Sequence, residues 1–311
     1  MRALVTGAAG FIGSHLCRRL VADGHEVLGL DDLSEGTLDN LADVPDAAFL
    51  EADLRDEQSV IRAADGVDVI FHQGAKRSVP RSLVEPFLTT DVNVRGTLNV
   101  LEAARATRAR VVYASSSSVY GDQTTFPLHE ALYPRPKSPY AAGKLAGEAL
   151  AGAYTASLGI PTVGLRYFNV YGPRQDPASE YAAVVPRFIV TCLLGGRPVI
   201  HGDGEQSRDF TYIDDVVEAN LRAANAPEAA HGRSFNVGGG GEPTSVNELL
   251  GIVAELTGVR PEPLQEPARD GDVRTTQADL SQVREALGHA PSVDIKEGLR
   301  LTVDWFREHV A

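Results

Sequence analysis

Apolar residues in this chain gather in short runs, separated by longer stretches in which they recur at helical spacing. The runs are Ala3-Leu4-Val5-Thr6, Glu26-Val27-Leu28-Gly29-Leu30, Ala48-Phe49-Leu50-Glu51-Ala52-Asp53, Val67-Asp68-Val69-Ile70-Phe71-His72, Val111-Val112-Tyr113-Ala114 and Thr162-Val163-Gly164-Leu165-Arg166. Runs of this length read as buried strands. Helices are expected over residues 14–22, between the third and fourth runs, over residues 92–105, and from about Tyr140 onward. Strand–helix repetition predicts an α/β fold built on a parallel, doubly wound sheet. After residue 168 the alternation breaks. A helix is expected to start within residues 180–187, followed by a strand and turn over 198–204 and a segment, 205–215, leading into a helix to Ala224. A strand over 234–238 and a helix over 245–257, capped by Thr244 or Ser245, come next. A Pro-rich linker, 260–267, precedes the last helices, which end at Trp305-Phe306. There is no internal repeat.

Charge and composition narrow the function. The 311 residues suit one large or two small domains, and the formal net charge is −13. That balance, with no basic run and no interleaving of aromatic and basic residues, argues against nucleic-acid or anionic-membrane partners. It leaves open a small anionic ligand held by local groups. Cys17 and Cys192 are far apart in apolar helices and read as core thiols. The eight histidines show no paired spacing, so no metal site is expected. The N-terminus runs straight into a strand without the features of a signal peptide, and no apolar run is long enough to span a bilayer. A cytoplasmic location is the expectation.

Two motifs carry chemistry. Gly7-Ala8-Ala9-Gly10-Phe11-Ile12-Gly13 joins the first strand to the first helix, and the second strand ends at Asp31-Asp32. Strand, glycine-rich turn, helix, strand and acid in this order form a dinucleotide-binding unit. The helix N-terminus meets the phosphates, and a carboxylate at the second strand's end accepts from ribose hydroxyls while repelling a 2′-phosphate, which favours NAD over NADP. The second motif is Tyr140-x-x-x-Lys144, preceded by Ser115-Ser116-Ser117-Ser118-Val119-Tyr120-Gly121. On a helix, Tyr140 and Lys144 share one face. A nearby ammonium favours the phenolate, and ionisation near neutral pH requires a shift of ~3 units, roughly 4 kcal/mol. A lysine and a cationic cofactor together can supply it, and a strand-end hydroxyl can complete a proton relay.

The spacing Gly7-x-x-Gly10-x-x-Gly13, the serines before Val119-Tyr120-Gly121, Tyr140-x-x-x-Lys144 and Arg166-Tyr167-Phe168-Asn169 occur in an order and at distances that together resemble the extended short-chain dehydrogenase/reductases. Within those the chain resembles the nucleotide-sugar epimerases and dehydratases, over essentially its whole length. The resemblance implies a Rossmann-type domain over residues 1–168 and 212–239, interleaved with a smaller α/β lobe over 169–211 and 240–311 that closes over a UDP-sugar. It implies NAD held by Gly7, Gly10, Phe11, Ile12, Gly13, Asp31 and Asp32, with Asp53 and Leu54 flanking the adenine. Gln73, Gly74 and Ala75 would line the nicotinamide side, with Asn93, Tyr140, Lys144 and Phe168 also contacting the cofactor. Ser116, Tyr140 and Lys144 would be catalytic. Substrate contacts are implied for Ser78, Ser116, Ser117, Ser118, Asn169, Val184, Asp272 and Thr276, with Val199 and His201 along the pyrimidine and Arg208 and Arg269 on the diphosphate and ribose. Arginine suits a diphosphate because its planar fork binds oxygens bidentately. A homodimer through the helices at Val92 and Tyr140 is expected.

The serine stretch separates the reactions. The related dehydratases carry Asp and Glu after the catalytic Ser/Thr, an acid–base pair for eliminating water, and the decarboxylases usually carry Glu at the second position. Here those positions are Ser117 and Ser118. Removal and return of one hydride, 4-epimerisation through a transient 4-keto sugar, is what remains. UDP-N-acetylhexosamines and UDP-glucose/galactose are held equal as substrates. UDP-glucuronate is the alternative behind them, and a 4,6-dehydratase is further back. A small residue at the implied size gate, Thr276, leaves room for an acetamido group. Asp176 would repel a carboxylate if it faced the sugar, and Lys76-Arg77 places two cations where relatives have small or uncharged residues.

Overall fold

A computed structural model describes residues 1–177, 183–268 and 273–310. The apolar runs form a parallel sheet: β1 (Arg2–Thr6), β2 (Glu26–Asp31), β3 (Ala48–Glu51), β4 (Val69–His72), β5 (Arg110–Ser116), β6 (Thr162–Tyr167) and an edge strand, Arg233–Val237. Their seven-stranded spatial order is the edge strand, β6, β5, β4, β1, β2, β3. Alternate side chains feed two cores. Leu4, Ile70 and Val111 point to one face, while Val5, Phe71, Val112 and Leu165 point to the other. Helices cover both faces, which is why these strands read as nearly continuous apolar runs. The chain leaves β1 toward β2 and β3, then crosses back to β4 on the other side of β1. Ligands gather at such a reversal, at the carboxyl ends of the strands.

The expected elements are found, a helix outside the expected set, Val79–Val84, follows β4, and three further differences stand out. The helix expected over 92–105 is the last part of a longer helical run: Pro86–Thr90, a π-helical turn Asp91–Arg95, and Gly96–Thr107. The helix expected within 180–187 begins at Val184 and runs to Leu193. The Pro-rich linker contains a strand, Leu264–Glu266, paired in parallel with Val199–His201. Its three side chains are all exposed, so no hydrophobic pattern announced it. Elsewhere local chemistry decides the ends. Ser245 caps the Val246–Thr257 helix in a reciprocal capping box with Glu248. Cys17 and Cys192 are buried, and burial pushes the Cys17 thiol up to about 12. No described helix is long and apolar enough to cross a membrane.

Three histidines are desolvated within the fold. Burial pulls His15 down to about 4 and His72 to about 3, and it lowers His289. The His72 ring is hydrogen-bonded to the Thr6 and Thr97 hydroxyls at 2.8 and 3.0 Å. His289, 0% exposed, has no partner for either ring nitrogen among the described residues. An unfolded histidine takes up a proton near 6.5 and the folded one only at lower pH, so the unfolded state is favoured as pH falls below about 6.5. A buried unpaired polar group costs about 1–3 kcal/mol. His289→Leu is therefore expected to raise the melting temperature at pH 8, and to raise it further relative to wild type at pH 5.5. Equal gains at both pH values in thermal unfolding would contradict this.

Candidate dinucleotide and active site

The crevice at the sheet reversal begins with the glycine-rich turn. Gly7 has φ +69°, and a Cβ there would lie 2.7 Å from the Gly74 nitrogen; a Cβ at Gly13 would lie 2.0 Å from the Gly7 oxygen. No side chain fits at either place. Helix α1 (Phe11–Ala22) starts from Gly10 with no side-chain cap and no acidic residue in its first turn, so its N–H groups and dipole are available to an anion. The acids at the end of β2 divide their work. Asp31, 8% exposed, accepts from the Ala9 and Leu33 N–H groups at 3.0 and 2.9 Å, bracing the turn. Burial raises its pKa, and those two hydrogen bonds oppose the rise. Asp32 accepts from the Ser34 N–H at 3.0 Å and from its hydroxyl at 2.5 Å.

Further along, Asp53 is gripped by Arg55, whose Nη2 donates to Oδ2 at 2.5 Å, and that pairing holds the carboxyl below the usual range. Leu54 rests on the helix at Gly96, and its carbonyl accepts from Asn99. At the end of β4, Gln73 donates to Asn220 and accepts from the Tyr167 hydroxyl.

The far end of the crevice is built by β5 and the Pro139–Leu158 helix. Ser138 caps that helix, accepting from the Ala141 N–H at 3.1 Å, with Pro139 in its first turn. Tyr140, Lys144 and Glu148 follow at four-residue spacing on one face. Lys144, 5% exposed, donates from Nζ to the Ala114 carbonyl at 2.7 Å, and burial pulls it down to about 7. Burial raises the pKa of the Tyr140 hydroxyl; the nearby Ser116 hydroxyl and the charge of Arg77 oppose the rise. The net direction is upward from the ordinary tyrosine value. Ser116 accepts from the Ser118 N–H at 3.2 Å and from its hydroxyl at 2.8 Å.

Most of the expected cofactor residues face this one crevice: Gly7, Gly10, Phe11, Ile12, Gly13, Asp31, Asp32, Asp53, Leu54, Gln73, Gly74, Ala75, Tyr140 and Lys144. Asn93 and Phe168 sit behind its wall. Asn93 lies in the π-helical turn, and its amide clamps the backbone of Lys76 at both ends, at 2.8 and 2.9 Å. Phe168 is fully buried against Tyr120. Of the expected substrate residues, Ser78 borders the mouth and caps the Val79–Val84 helix. Ser117 and Ser118 form the turn after β5. Asn169 donates to the Asp209 carbonyl and to the Thr276 hydroxyl at 3.1 and 3.0 Å, and Thr276 also accepts from the Asp209 N–H at 3.2 Å. Val184 opens the Val184–Leu193 helix. Val199 and His201 lie on the Val199–His201 strand, with His201 3.5 Å from Glu266, and Arg208 lies on the Ser207–Arg208 strand. Arg269 and Asp272 lie outside the described residues.

Sequence reasoning passed over Ser34, Glu35, Asn40 and Arg174, which also line the crevice. Glu35 is ringed by Lys76 and Arg77 at 3.6 Å and Arg81 at 3.7 Å. Lys76-Arg77 stood out by charge; Glu35 had no signal in sequence, because its partners come from a different loop.

A cradle of glycines, an open helix N-terminus and acids at the second strand's end define a dinucleotide-binding protein, and NAD fits these residues. The chain belongs to the NAD-dependent epimerase/dehydratase family, whose model matches residues 3–238. It is 44% identical to a UDP-glucose 4-epimerase of Mycolicibacterium smegmatis, over 99% of each chain. It superposes with a TM-score of 0.95 on the UDP-glucose 4-epimerase of Thermotoga maritima solved with UDP-glucose, at 38% identity over 100% of each chain. It also superposes, at 0.94, on a UDP-N-acetylglucosamine 4-epimerase of Methanobrevibacter ruminantium in complex with UDP-N-acetylmuramic acid, at 36% identity over 99% of this chain and 98% of that one.

Replacing Gly7 with Ala puts a methyl group into the Gly74 backbone at a positive φ. The purified variant is expected to lose bound NAD, read as a fall in the 260/280 nm absorbance ratio. An unchanged ratio would show that the cradle tolerates the group.

Proposed function

We propose that the chain interconverts the C4 epimers of a UDP-hexose, plain or N-acetylated, through a transient 4-keto sugar. The observation that carries this reading is the set of groups at the end of the crevice. Tyr140 and the buried Lys144 line that end and Ser116 closes β5, while the two positions after Ser116 hold serines and not the acid–base pair that an elimination requires. Tyr140 takes the proton of the sugar's 4-hydroxyl, directly or through Ser116, and returns it after the 4-keto sugar has turned over. NAD, when bound, supplies a hydride acceptor and donor at C4 and a positive ring charge. Ser116 lowers the Tyr140 pKa against the effect of burial, and Lys144 anchors the helix turn to β5. Arg208 and Arg269 hold the diphosphate and ribose, Val199 and His201 run along the uracil, and Thr276, small and tethered by Asn169, leaves room at C2 of the sugar. The complexes of two similar epimerases with UDP-glucose and UDP-N-acetylmuramic acid support a UDP-sugar as the ligand.

We further propose that residues 1–168 and 212–239 form the NAD-binding domain and that 169–211 and 240–311 form the sugar-nucleotide lobe. The buried, unbonded thiols Cys17 and Cys192 suit a reducing cytoplasm. The assembly we propose is a homodimer. Leu83, Val84 and Phe87, 62, 76 and 90% exposed, make an apolar patch on helices packed against the Pro139–Leu158 helix, and exposed apolar patches mark association sites.

A panel of UDP-sugars resolved by chromatography tests the reaction: C4 epimers of UDP-glucose and UDP-GlcNAc are expected. Tyr140→Phe is expected to lower kcat by about 10²–10⁴-fold, the range for a positioned acid–base group, while bound NAD is retained. A 4-keto-6-deoxy product would instead indicate a dehydratase, and near-normal turnover by Tyr140→Phe would overturn the scheme. For the assembly, Phe87→Asp is expected to halve the mass seen by light scattering after size exclusion.

A further inference from the structure

Glu148 and Arg166 make an ion pair inside the protein, with side chains 8 and 7% exposed. Arg166 donates from Nε to Oε1 at 2.9 Å and from Nη2 to Oε2 at 2.7 Å. Burying two charges costs several kcal/mol of desolvation per ion, so such a pair is weak as a source of stability. What it touches gives it another role. The Ser115 hydroxyl donates to Glu148 Oε1. The remaining Arg166 nitrogen donates to the Tyr120 hydroxyl at 2.9 Å, which itself donates to Asn236 Oδ1 at 2.7 Å. Asn236 passes the chain on, donating to the Leu128 carbonyl at 2.8 Å and the Asp279 carbonyl at 3.2 Å. Every polar atom of the ion pair is used.

Ser115 and Tyr120 are the two ends of one short segment. Between them lie Ser116, which caps the Ser117–Tyr120 turn, and Ser118, which donates to it. The same ion pair therefore holds both ends of the turn that carries the Ser116 hydroxyl. Its carboxylate sits one helical turn below Lys144, which sits one turn below Tyr140. Two consecutive residues of β5 are bonded to two turns of one helix, Ala114 to Lys144 and Ser115 to Glu148, and the next, Ser116, is the group that draws the pKa of Tyr140 down one turn earlier. The proposed proton transfer occurs between Ser116 and Tyr140; of the second pair, Ser115 stands in the crevice wall and Glu148 lies behind it, outside the crevice lining.

We propose that Glu148 and Arg166 are positioning residues that fix the Ser116 hydroxyl against the Tyr140 hydroxyl by pinning both ends of the turn between them. This rests on the roles given to Ser116 and Tyr140 above. Misplacing a reacting group by about 1 Å can cost about 100-fold in rate. Ser115→Ala removes one pin and leaves the ion pair intact; Glu148→Gln removes the charge.

The holoenzyme with UDP-glucose gives the test. Ser115→Ala is expected to lower kcat by about 10- to 100-fold, with KM within about twofold and bound NAD unchanged. Because Ser116 draws the Tyr140 pKa down, the acidic limb of the kcat–pH profile should move to higher pH. In a Ser116→Ala background, neither Ser115→Ala nor Glu148→Gln should lower kcat further. Unchanged kcat and pH limb in Ser115→Ala, or losses that multiply in the Ser116→Ala background, would overturn the proposal. Should Glu148→Gln fold poorly, Ser115→Ala decides alone. Full activity in Ser116→Ala and Tyr140→Phe would instead overturn the reaction scheme, so the two failures are distinguishable.

Discussion

The site depends on one desolvated ammonium. Lys144 is out of water, and its bond to the Ala114 carbonyl ties the helix that begins at Ser138 to the last residues of β5. The Tyr113 hydroxyl returns the tie by donating to the Lys144 carbonyl at 3.1 Å. A buried charge without a partner is expensive, so helix and strand have one favourable register. Everything placed at the mouth of the sheet by that helix inherits the register, Tyr140 first. The same burial that fixes the lysine drives its pKa down and that of Tyr140 up. Geometry and acidity are thus set by one event, the exclusion of water from the space between the strand and the helix.

Charge is distributed against the average. The chain is strongly acidic, yet Lys76, Arg77 and Arg81 converge on Glu35 beside the crevice. These residues come from the loops after β2 and β4, strands that flank β1 on opposite sides. The loops therefore meet across the glycine-rich turn that β1 feeds. The cations there are matched by carboxylates, Arg81 by Glu85 as well as Glu35, so the loops are tied together by ion pairs at the crevice mouth.

Much of the fold was legible because strands buried on both faces leave an unmistakable apolar signature and because strand–helix alternation permits few topologies. The glycine turn and the Tyr140–Lys144 pair were legible because their chemistry needs fixed spacing along the chain. What escaped had neither property. Leu264–Glu266 is a strand with three exposed side chains, so nothing alternates. Glu35 and Arg174 reach the crevice by loop packing. Glu148 lies at the next helical position after Lys144, but its partner Arg166 is brought to it only by the pairing of β5 with β6. Asn93 and Phe168, linked to the cofactor in the sequence, are buried; Asn93 holds the backbone of Lys76, which faces the crevice, and Phe168 packs on Tyr120.

The π-helical turn at Asp91–Arg95 has a consequence for how this framework tolerates insertion and deletion. A π turn carries one residue more than an α turn, and an α-helix advances about 100° per residue. Losing a single residue there would let the run wind as uninterrupted α-helix and would rotate everything before it by about that angle relative to Gly96–Thr107. Phe87 would swing to another side of the run relative to Gly96–Thr107, and the amide of residue 93 would leave the backbone of Lys76. Chain length across these five residues is as constrained as residue identity, and length variation among related chains should collect in loops instead.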